Sequence, residues 1–399
     1  MKYIVVLGDG MADEPIESLG GKTPLEYAET PTMDALSKKS EIGMVHTIPE
    51  GMKPGSDTAN LSVLGYEPKK YYSGRSPLEA LSIGVPMKDT DIALRCNIVT
   101  ISEGDVPFEK QTIIDHSADE ISTKDCAVLL DAVRKELEND IYKFYVGTSY
   151  RHCLIWENGK VVELTPPHDV LTQTIGQHLP EDAVLREMMR KSYDILVNHP
   201  INIERKKNGL HPANCCWFWG AGTKPMLSSF EEKTGKKGMM VSAVDLLKGI
   251  AVGAGMGVAE VDGANGGLHT NYEGKTKAAF DALQNGYDFV YIHLEAPDEM
   301  GHQGSTEKKV QAIEYLDTRV IGPLKEMLDA EGLSYRMLVL PDHPTPVRVR
   351  THTAGSVPYL LYDSTNELDR TWSYNEKEGA ASGICFPEGY MLIDHLFSC

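Results

Sequence analysis

Residues 288–352 read DFVYIHLEAPDEMGH, then an amphipathic helical pattern, then YRMLVLPDHPTP and RTHT. Two short apolar runs within them, Phe289 to Leu294 and Met337 to Leu340, have the length and composition of buried strands. Each runs into groups able to hold a metal: Asp298 with His302 after the first, Asp342 with His343 after the second, and His352 a little further on. Tyr3 to Leu7 repeats the pattern, an apolar run that ends in Gly8-Asp9-Gly10. Three predicted strands therefore deliver a carboxylate at the same kind of position. Open α/β sheets place their sites at the carboxyl ends of buried parallel strands, so this repetition constrains both fold and chemistry.

At 399 residues the chain is long for one domain and fits two. Hydrophobic residues at 41% and charged residues at 24% match an ordinary globular protein. No uninterrupted apolar segment approaches the roughly 20 residues that span a bilayer, so no membrane association is expected. The apolar run before Asp9 is too short for a signal-peptide core and reads as a first strand. Seven cysteines, irregularly spaced with only Cys215 and Cys216 adjacent, make neither a disulfide framework nor a zinc ribbon. A reducing cytoplasm is the expected location. The formal net charge of −19 opposes non-specific nucleic-acid binding while leaving room for a local basic pocket that takes an anionic metabolite.

In chain order, Thr32 to Ser40 reads as a helix capped by Thr30 or Thr32, and Gly43 to His46 as a short strand. Pro54 and Gly55 then break the chain, and Ser56 opens a predicted helix whose free N–H groups favour an anion. Ser56 has two readings, an N-cap serine or a nucleophile serving a phosphate site. From about Leu81 the pattern changes. Strands at Ile92 to Ile101, Phe144 to Val146 and Cys153 to Trp156, with helices at Thr123 to Asn139 and Pro180 to Val197, suggest a separate α+β unit. That unit ends in a turn-rich stretch, Cys215 to Lys224. A strand at Gly238 to Val241 and a helix at Ala243 to Ala254 lead back to Phe289. If Asp9 and Ser56 share a site with the residues beyond 298, the segment between is an insertion.

The candidate ligands are Asp9, Asp298, His302, Asp342, His343 and His352. Asp298 and His302, four apart, project from one helical face if Pro297 sits at the helix start. A tight turn between Pro341 and Pro344 either aims Asp342 and His343 inward together or divides them between two ions. Six groups exceed what one four-coordinate ion uses when a position is kept open. Carboxylates and imidazoles without thiolate suit manganese, zinc, cobalt or magnesium. Two ions roughly 4 Å apart clamp a phosphoryl group, and a serine oxygen on such an ion loses its proton readily.

The motifs LGDGMAD, PGSDTANLSVLGY, GRSPLEA, RCNIVT, DHSADEIS, YRH, TPPHD, ANCCWFWGAG, SAVDLLKGIA, APDEMGH, PDHPTP and THTAGSVPY resemble those of the archaeal-type cofactor-independent phosphoglycerate mutases, a branch of the alkaline phosphatase superfamily. They run over nearly the whole chain. The resemblance implies an α/β fold, an alkaline-phosphatase-like mostly parallel sheet flanked by helices, with an inserted α+β domain. Residues 1–80 and 238–399 would form the discontinuous catalytic domain and 81–237 a substrate-binding lid. It implies two divalent ions (manganese, magnesium or zinc), no bisphosphoglycerate cofactor, and a phosphorylated hydroxy acid as the small-molecule partner in glycolysis and gluconeogenesis. Ser56 matches the phosphorylated nucleophile. Asp9, Asp342 and His343 match the ion that also contacts the serine, and Asp298, His302 and His352 the other. Lys248 resembles a lysine that stabilises charge between metals and phosphate. His116 and Arg151 match groups gripping the substrate's carboxylate, hydroxyl or phosphate, work suited to arginine's planar fork. Outside the resemblance, Arg151 reads equally as a surface ion pair and His116 as a structural histidine.

Ser56 lies in Gly-Ser-Asp-Thr-Ala-Asn, unlike the Asn-Ser-Glu run of the longer bacterial enzymes, which leaves the substrate the open question. Alternatives on the same scaffold are a homoserine kinase-like phosphotransferase and a metal-dependent phosphatase. The GKT runs at Gly21 and Gly274 lack the upstream glycine of a P-loop, because Ile16 and His269 occupy those places, so ATP has no visible cradle. A metal-stabilised binding protein is disfavoured, since a structural site needs neither a nucleophile nor an open coordination position.

Overall fold

In the computed structural model, which describes residues 1–398, Lys2–Gly8 lies in parallel register between Phe289–Leu294 and Tyr335–Leu340. These are the three apolar runs that end in carboxylates. They are buried on both faces, which is why their sequences are continuously apolar rather than alternating. The full sheet has the order Cys385–Phe386, Glu41–Val45, Val357–Asp363, Tyr335–Leu340, Lys2–Gly8, Phe289–Leu294, Gly238–Val241 and Gly257–Val258. Val357–Asp363 runs antiparallel to both of its neighbours, and the other pairings are parallel. Helices that include Pro31–Ser37, Tyr272–Gln284, Thr306–Leu316 and Gly322–Ala330 bury Leu36, Leu283, Ile313, Leu316, Leu324 and Leu328 with one face of the strands. The expected α/β class, a mostly parallel sheet flanked by helices, describes this unit.

Two compact units divide the chain: residues 1–72 with 226–399, and residues 73–225. The expected boundaries, 80/81 and 237/238, fall within Arg75–Ser82 and just before Gly238–Val241, 8 and 12 residues further along the chain than these divisions. Arg75–Ser82 belongs with the second unit because it packs on Ile92–Ile101 and Cys215–Thr223, and its Glu79 pairs with Arg95 at 2.9 Å. The second unit is an antiparallel sheet covered by Thr123–Leu137 and Ala183–Leu196. Ile92–Ile101 pairs with Arg151–Trp156, with Cys215–Thr223 and, at its end, with Ile113–Asp115, while Tyr142–Tyr145 adds beyond Arg151–Trp156. Cys96, Cys126, Cys153, Cys215 and Cys216 are free and buried here. Burial pushes the thiols of Cys126, Cys153 and Cys215 well up, which makes them packing groups rather than nucleophiles.

The stretch from Cys215 was expected to be turn-rich, and it is a nine-residue strand. Gly222 marks close backbone approach, not a turn: a Cβ there would stand 2.3 Å from the Ser73 carbonyl oxygen. Among the described residues, no helix is long and apolar enough to cross a membrane.

Behind the sheet ends a buried ion pair ties distant segments together. Lys309 is fully buried and donates to Asp13 Oδ2 at 2.8 Å, to the Thr345 carbonyl at 2.9 Å and to the Ala12 carbonyl at 3.2 Å. Asp13 Oδ2 also accepts from Val347 N–H. Removing one partner of a buried pair leaves the other charge uncompensated. Lys309→Met is therefore expected to lower unfolding free energy by about 3–5 kcal/mol in chemical denaturation. A loss under about 1 kcal/mol, the range of an exposed pair, would contradict this account.

Candidate active site

Each of the three central strands ends by turning a carboxylate into one buried space. Asp342 and His343 follow Tyr335–Leu340 between two prolines and are both fully buried. Asp342 Oδ1 accepts from Gly10 N–H (3.0 Å) and from His343 N–H (2.9 Å), and its Oδ2 accepts from Asn60 Nδ2 (2.9 Å). Gly10 has φ +60°, and a Cβ there would lie 2.6 Å from Asp298 Oδ1 and 2.8 Å from Asp298 Cα, so only glycine lets the two loops come this close. Asp9 Oδ2 accepts from His293 Nε2–H at 2.8 Å, and His293 Nδ1 in turn faces Ser242 Oγ at 3.2 Å. Burial lowers the His293 pKa to about 3, so the ring is neutral and acts as an orienting donor.

The helix Ala296–His302 has Pro297 in its first turn, and its periodicity puts Asp298 Oδ2 3.2 Å from His302 Nε2. His302 Nδ1–H donates to the Arg350 carbonyl at 3.0 Å, which leaves Nε2 facing inward. His352 Nε2 lies 3.0 Å from His302 Nε2 and 3.4 Å from Asp298 Oδ1. His343 Nε2 lies 3.3 Å from Asp342 Oδ2, 3.5 Å from Asp9 Oδ1 and 3.2 Å from Ser56 Oγ. In this space two groups have ligand atoms close enough to share an ion, Asp9 with Asp342 and His343, and Asp298 with His343 and His352. His343 is common to both, and His302 adjoins the second. A third such group, Asp115 with Asp119 and His211, is in the second unit and more exposed.

Ser56 is the first residue of the helix Ser56–Val63, with Gly55 as its cap. The N-cap reading is thus corrected: the hydroxyl makes no capping bond and points to His343. One turn on, Asn60 Nδ2 donates to the Ser56 carbonyl at 2.8 Å as well as to Asp342, and Tyr291 O–H donates to Asn60 Oδ1 at 2.5 Å. Lys248, in Asp245–Gly253, donates to both oxygens of Glu260 at 3.1 and 2.9 Å. No hydrogen bond or ion pair among the described residues joins Lys248 to the acidic centre. His116 and Arg151 lie in the second unit beside one ring: His116 is edge-on to Tyr150 at 5.8 Å, and the Arg151 guanidinium lies 5.5 Å from its centroid. His168 stands 6.2 Å from His116 and 5.3 Å from Trp219, over which Arg95 sits at 4.6 Å. Burial, with His116, Arg95 and Arg75 nearby, lowers the His168 pKa.

Metal ions fit the acidic centre of the first unit. Asp9 Oδ1 is buried with no hydrogen-bond partner among the described residues. Burial, together with the charges of Asp342, Asp298 and Glu295, holds the Asp9 pKa well above the usual carboxylate value. Carboxylates and imidazoles crowded this way, with no thiol, suit a divalent cation. Burial opposes the Asp298 charge, yet hydrogen bonds from His302 and His352 hold its pKa well below normal. Sequence reasoning missed Asn60, His293, Ser242 and Thr345. Asn60 was accessible as the residue one turn after Ser56, and His293 as a polar side chain inside an apolar strand.

Fold and side chains together define a class, an α/β protein with a mostly parallel sheet flanked by helices whose strand ends carry an acidic centre suited to divalent cations. A model of the family described as 2,3-bisphosphoglycerate-independent phosphoglycerate mutase matches residues 37–202. The Geobacter sulfurreducens protein named "Probable 2,3-bisphosphoglycerate-independent phosphoglycerate mutase" is 46% identical over 400 residues, covering 99% of each chain. A Methanosarcina mazei protein named as the same mutase is 44% identical over 383 residues, covering 94% of each. The solved cofactor-independent phosphoglycerate mutase of Thermoplasma acidophilum superposes with a TM-score of 0.65 at 26% identity, over 99% of each chain. The chain belongs to the 2,3-bisphosphoglycerate-independent phosphoglycerate mutase family, and it is an isomerase of that class.

In the metal-free protein the hydrogen bond with Asp298 raises the His302 pKa to about 9 against partial burial. A raised histidine contributes stability that is fully present below its unfolded value of about 6.5 and is lost as pH rises through about 9. The urea midpoint of chelator-treated protein is therefore expected to fall between about pH 7 and about pH 9.5, and His302→Ala to flatten that decline. Parallel profiles for the two proteins would remove His302 as its source.

Proposed function

We propose that the chain interconverts 3-phosphoglycerate and 2-phosphoglycerate through a phosphorylated Ser56, without a bisphosphoglycerate cofactor, at a centre holding two divalent ions. The observation that carries this reading is Ser56 Oγ, at a helix start and 3.2 Å from the Nε2 of the histidine common to both ligand groups. Asp9, Asp342 and His343 would hold one ion beside Ser56, and Asp298, His302 and His352 the other. When bound, the ions supply the positive charge that eases loss of the serine proton and offsets charge on the phosphoryl oxygens.

Ser56 Oγ attacks phosphorus. The Oγ–P bond forms as the bond to the 3-oxygen breaks, and that oxygen takes up a proton as glycerate is released. The 2-hydroxyl of the same glycerate then loses its proton and attacks the phosphoserine, forming 2-phosphoglycerate and restoring the serine hydroxyl. The N–H groups opening Ser56–Val63 favour the anionic phosphoryl group at this position. Asn60 donates to the Ser56 carbonyl within the helix and to Asp342 across from it, which holds the hydroxyl where it attacks. His116 and Arg151 are assigned to the substrate's carboxylate or phosphate on the strength of their chemistry. Lys248 has the charge for the transferring group, but its ammonium is paired with Glu260, so that role requires the pair to open.

The local structure at both GKT runs disfavours a kinase reading. Thr23 caps Pro24–Tyr27 and donates to Glu376, and Lys275 is buried with its ammonium on the His293 carbonyl. The test supplies metal-replete protein with 3-phosphoglycerate alone, and separately with homoserine and ATP. Formation of 2-phosphoglycerate is expected. Phosphorylated homoserine, or inorganic phosphate with little isomer, would overturn the substrate assignment. Ser56→Ala is expected to lower kcat by at least about a thousandfold and to abolish the phosphoserine seen by mass spectrometry in trapped wild-type protein.

A further inference from the structure

Thr345 is fully buried, and its hydroxyl touches both halves of the acidic centre. Thr345 Oγ1 lies 2.5 Å from Asp298 Oδ1 and 3.2 Å from His343 Nδ1. A hydroxyl has one proton to donate, and an ionised carboxylate can only accept. The proton therefore goes to Asp298, and Oγ1 accepts from His343 Nδ1–H. That order leaves the Nε2 lone pair of His343 unprotonated and aimed at the space shared by Asp9 Oδ1, Asp342 Oδ2 and Ser56 Oγ.

The hydroxyl has little freedom to turn away. The Thr345 carbonyl accepts from Lys309 at 2.9 Å, and its N–H donates to the Ala12 carbonyl at 3.3 Å. Gly10 and Gly301 press on the same residue, since a Cβ on the first would stand 2.6 Å from Thr345 Oγ1 and a Cβ on the second 2.5 Å from its carbonyl oxygen. We infer that Thr345 is a positioning residue that couples the two metal positions, setting the His343 tautomer for one and the Asp298 oxygen for the other through a single hydroxyl. A residue serving one ligand would tune one ion, whereas this geometry makes both depend on the same hydroxyl, which donates to Asp298 and accepts from His343.

The inference rests on the two-metal reading above, and its test separates the two. Manganese is titrated calorimetrically into chelator-treated wild type, Thr345→Val, Thr345→Ser and Thr345→Ala, and the loaded samples are examined by electron paramagnetic resonance for the coupled manganese pair. Wild type and the serine variant are expected to bind two ions with similar affinity and to show the coupled spectrum. The nearly isosteric valine variant is expected to bind both ions about 10- to 100-fold more weakly and to lose that spectrum. Valine affinities within about threefold of wild type, or weakening of one ion alone, would overturn the coupling role. Should valine fold poorly, serine and alanine decide: both lack the methyl group, only serine keeps the hydroxyl, and equal affinities would overturn the role. Wild type that fails to take up two ions would instead overturn the two-metal reading.

Discussion

Three carboxylates, Asp9, Asp298 and Asp342, converge where almost no solvent separates their charges. Buried like charges repel strongly unless protons, hydrogen bonds or cations intervene. The surrounding structure supplies what it can. Two backbone N–H groups and Asn60 face Asp342, His293 faces Asp9, and Thr345 with two imidazoles faces Asp298. The oxygen left over, Asp9 Oδ1, points into the gap. The remaining deficit of positive charge is what a divalent ion answers, and the donor set leaves it oxygen and imidazole partners. Gly10, the proline-bounded Asp342–His343 turn and the buried Lys309 pair all hold these loops close against that repulsion.

Much of this was legible in the sequence because the central strands are buried on both faces. Such strands appear as unbroken apolar runs, and the first polar residues after them stand out. The three strands and the Asp298–His302 pair, one helical turn apart, follow from that pattern and from helical periodicity. The strand Cys215–Thr223 was not legible, because glycine reads as a turn in one dimension, whereas Gly222 is there to admit the backbone near Ser73. Ser56 was read correctly as a helix start, but whether its hydroxyl caps the helix or faces a site depends on Gly55 taking the cap. Thr345, Ser242 and Tyr291 carry no local mark at all. Each has a partner far away in sequence, Asp298 for Thr345, His293 for Ser242 and Asn60 for Tyr291, so only the folded sheet reveals what their hydroxyls do. Lys248 is the reverse case, a residue selected by its motif whose ammonium lies on Glu260.

The two units solve different problems with different sheets. The first needs a parallel centre to bring three strand ends together. The second uses antiparallel pairing around Ile92–Ile101, which leaves His116, Tyr150, Arg151, His168, Arg95 and Trp219 clustered as an aromatic and cationic set. An acidic protein with a formal net charge of −19 repels anions at long range. Under the function proposed above, short-range stacking and forked hydrogen bonds from such side chains would have to select one despite that field.

The place of Lys2–Gly8 in the sheet also bears on synthesis. This strand lies between two partners encoded far downstream, and the second unit is translated in the interval. At ribosomal rates of about 5–20 residues per second, its apolar side chains wait on the order of tens of seconds before Tyr335–Leu340 emerges. Residues 73–225, with a core of their own, can mature meanwhile. An unpaired strand exposed that long is a target for misassembly, so in the cell the yield of active protein is expected to depend on what shields that segment until its neighbours arrive.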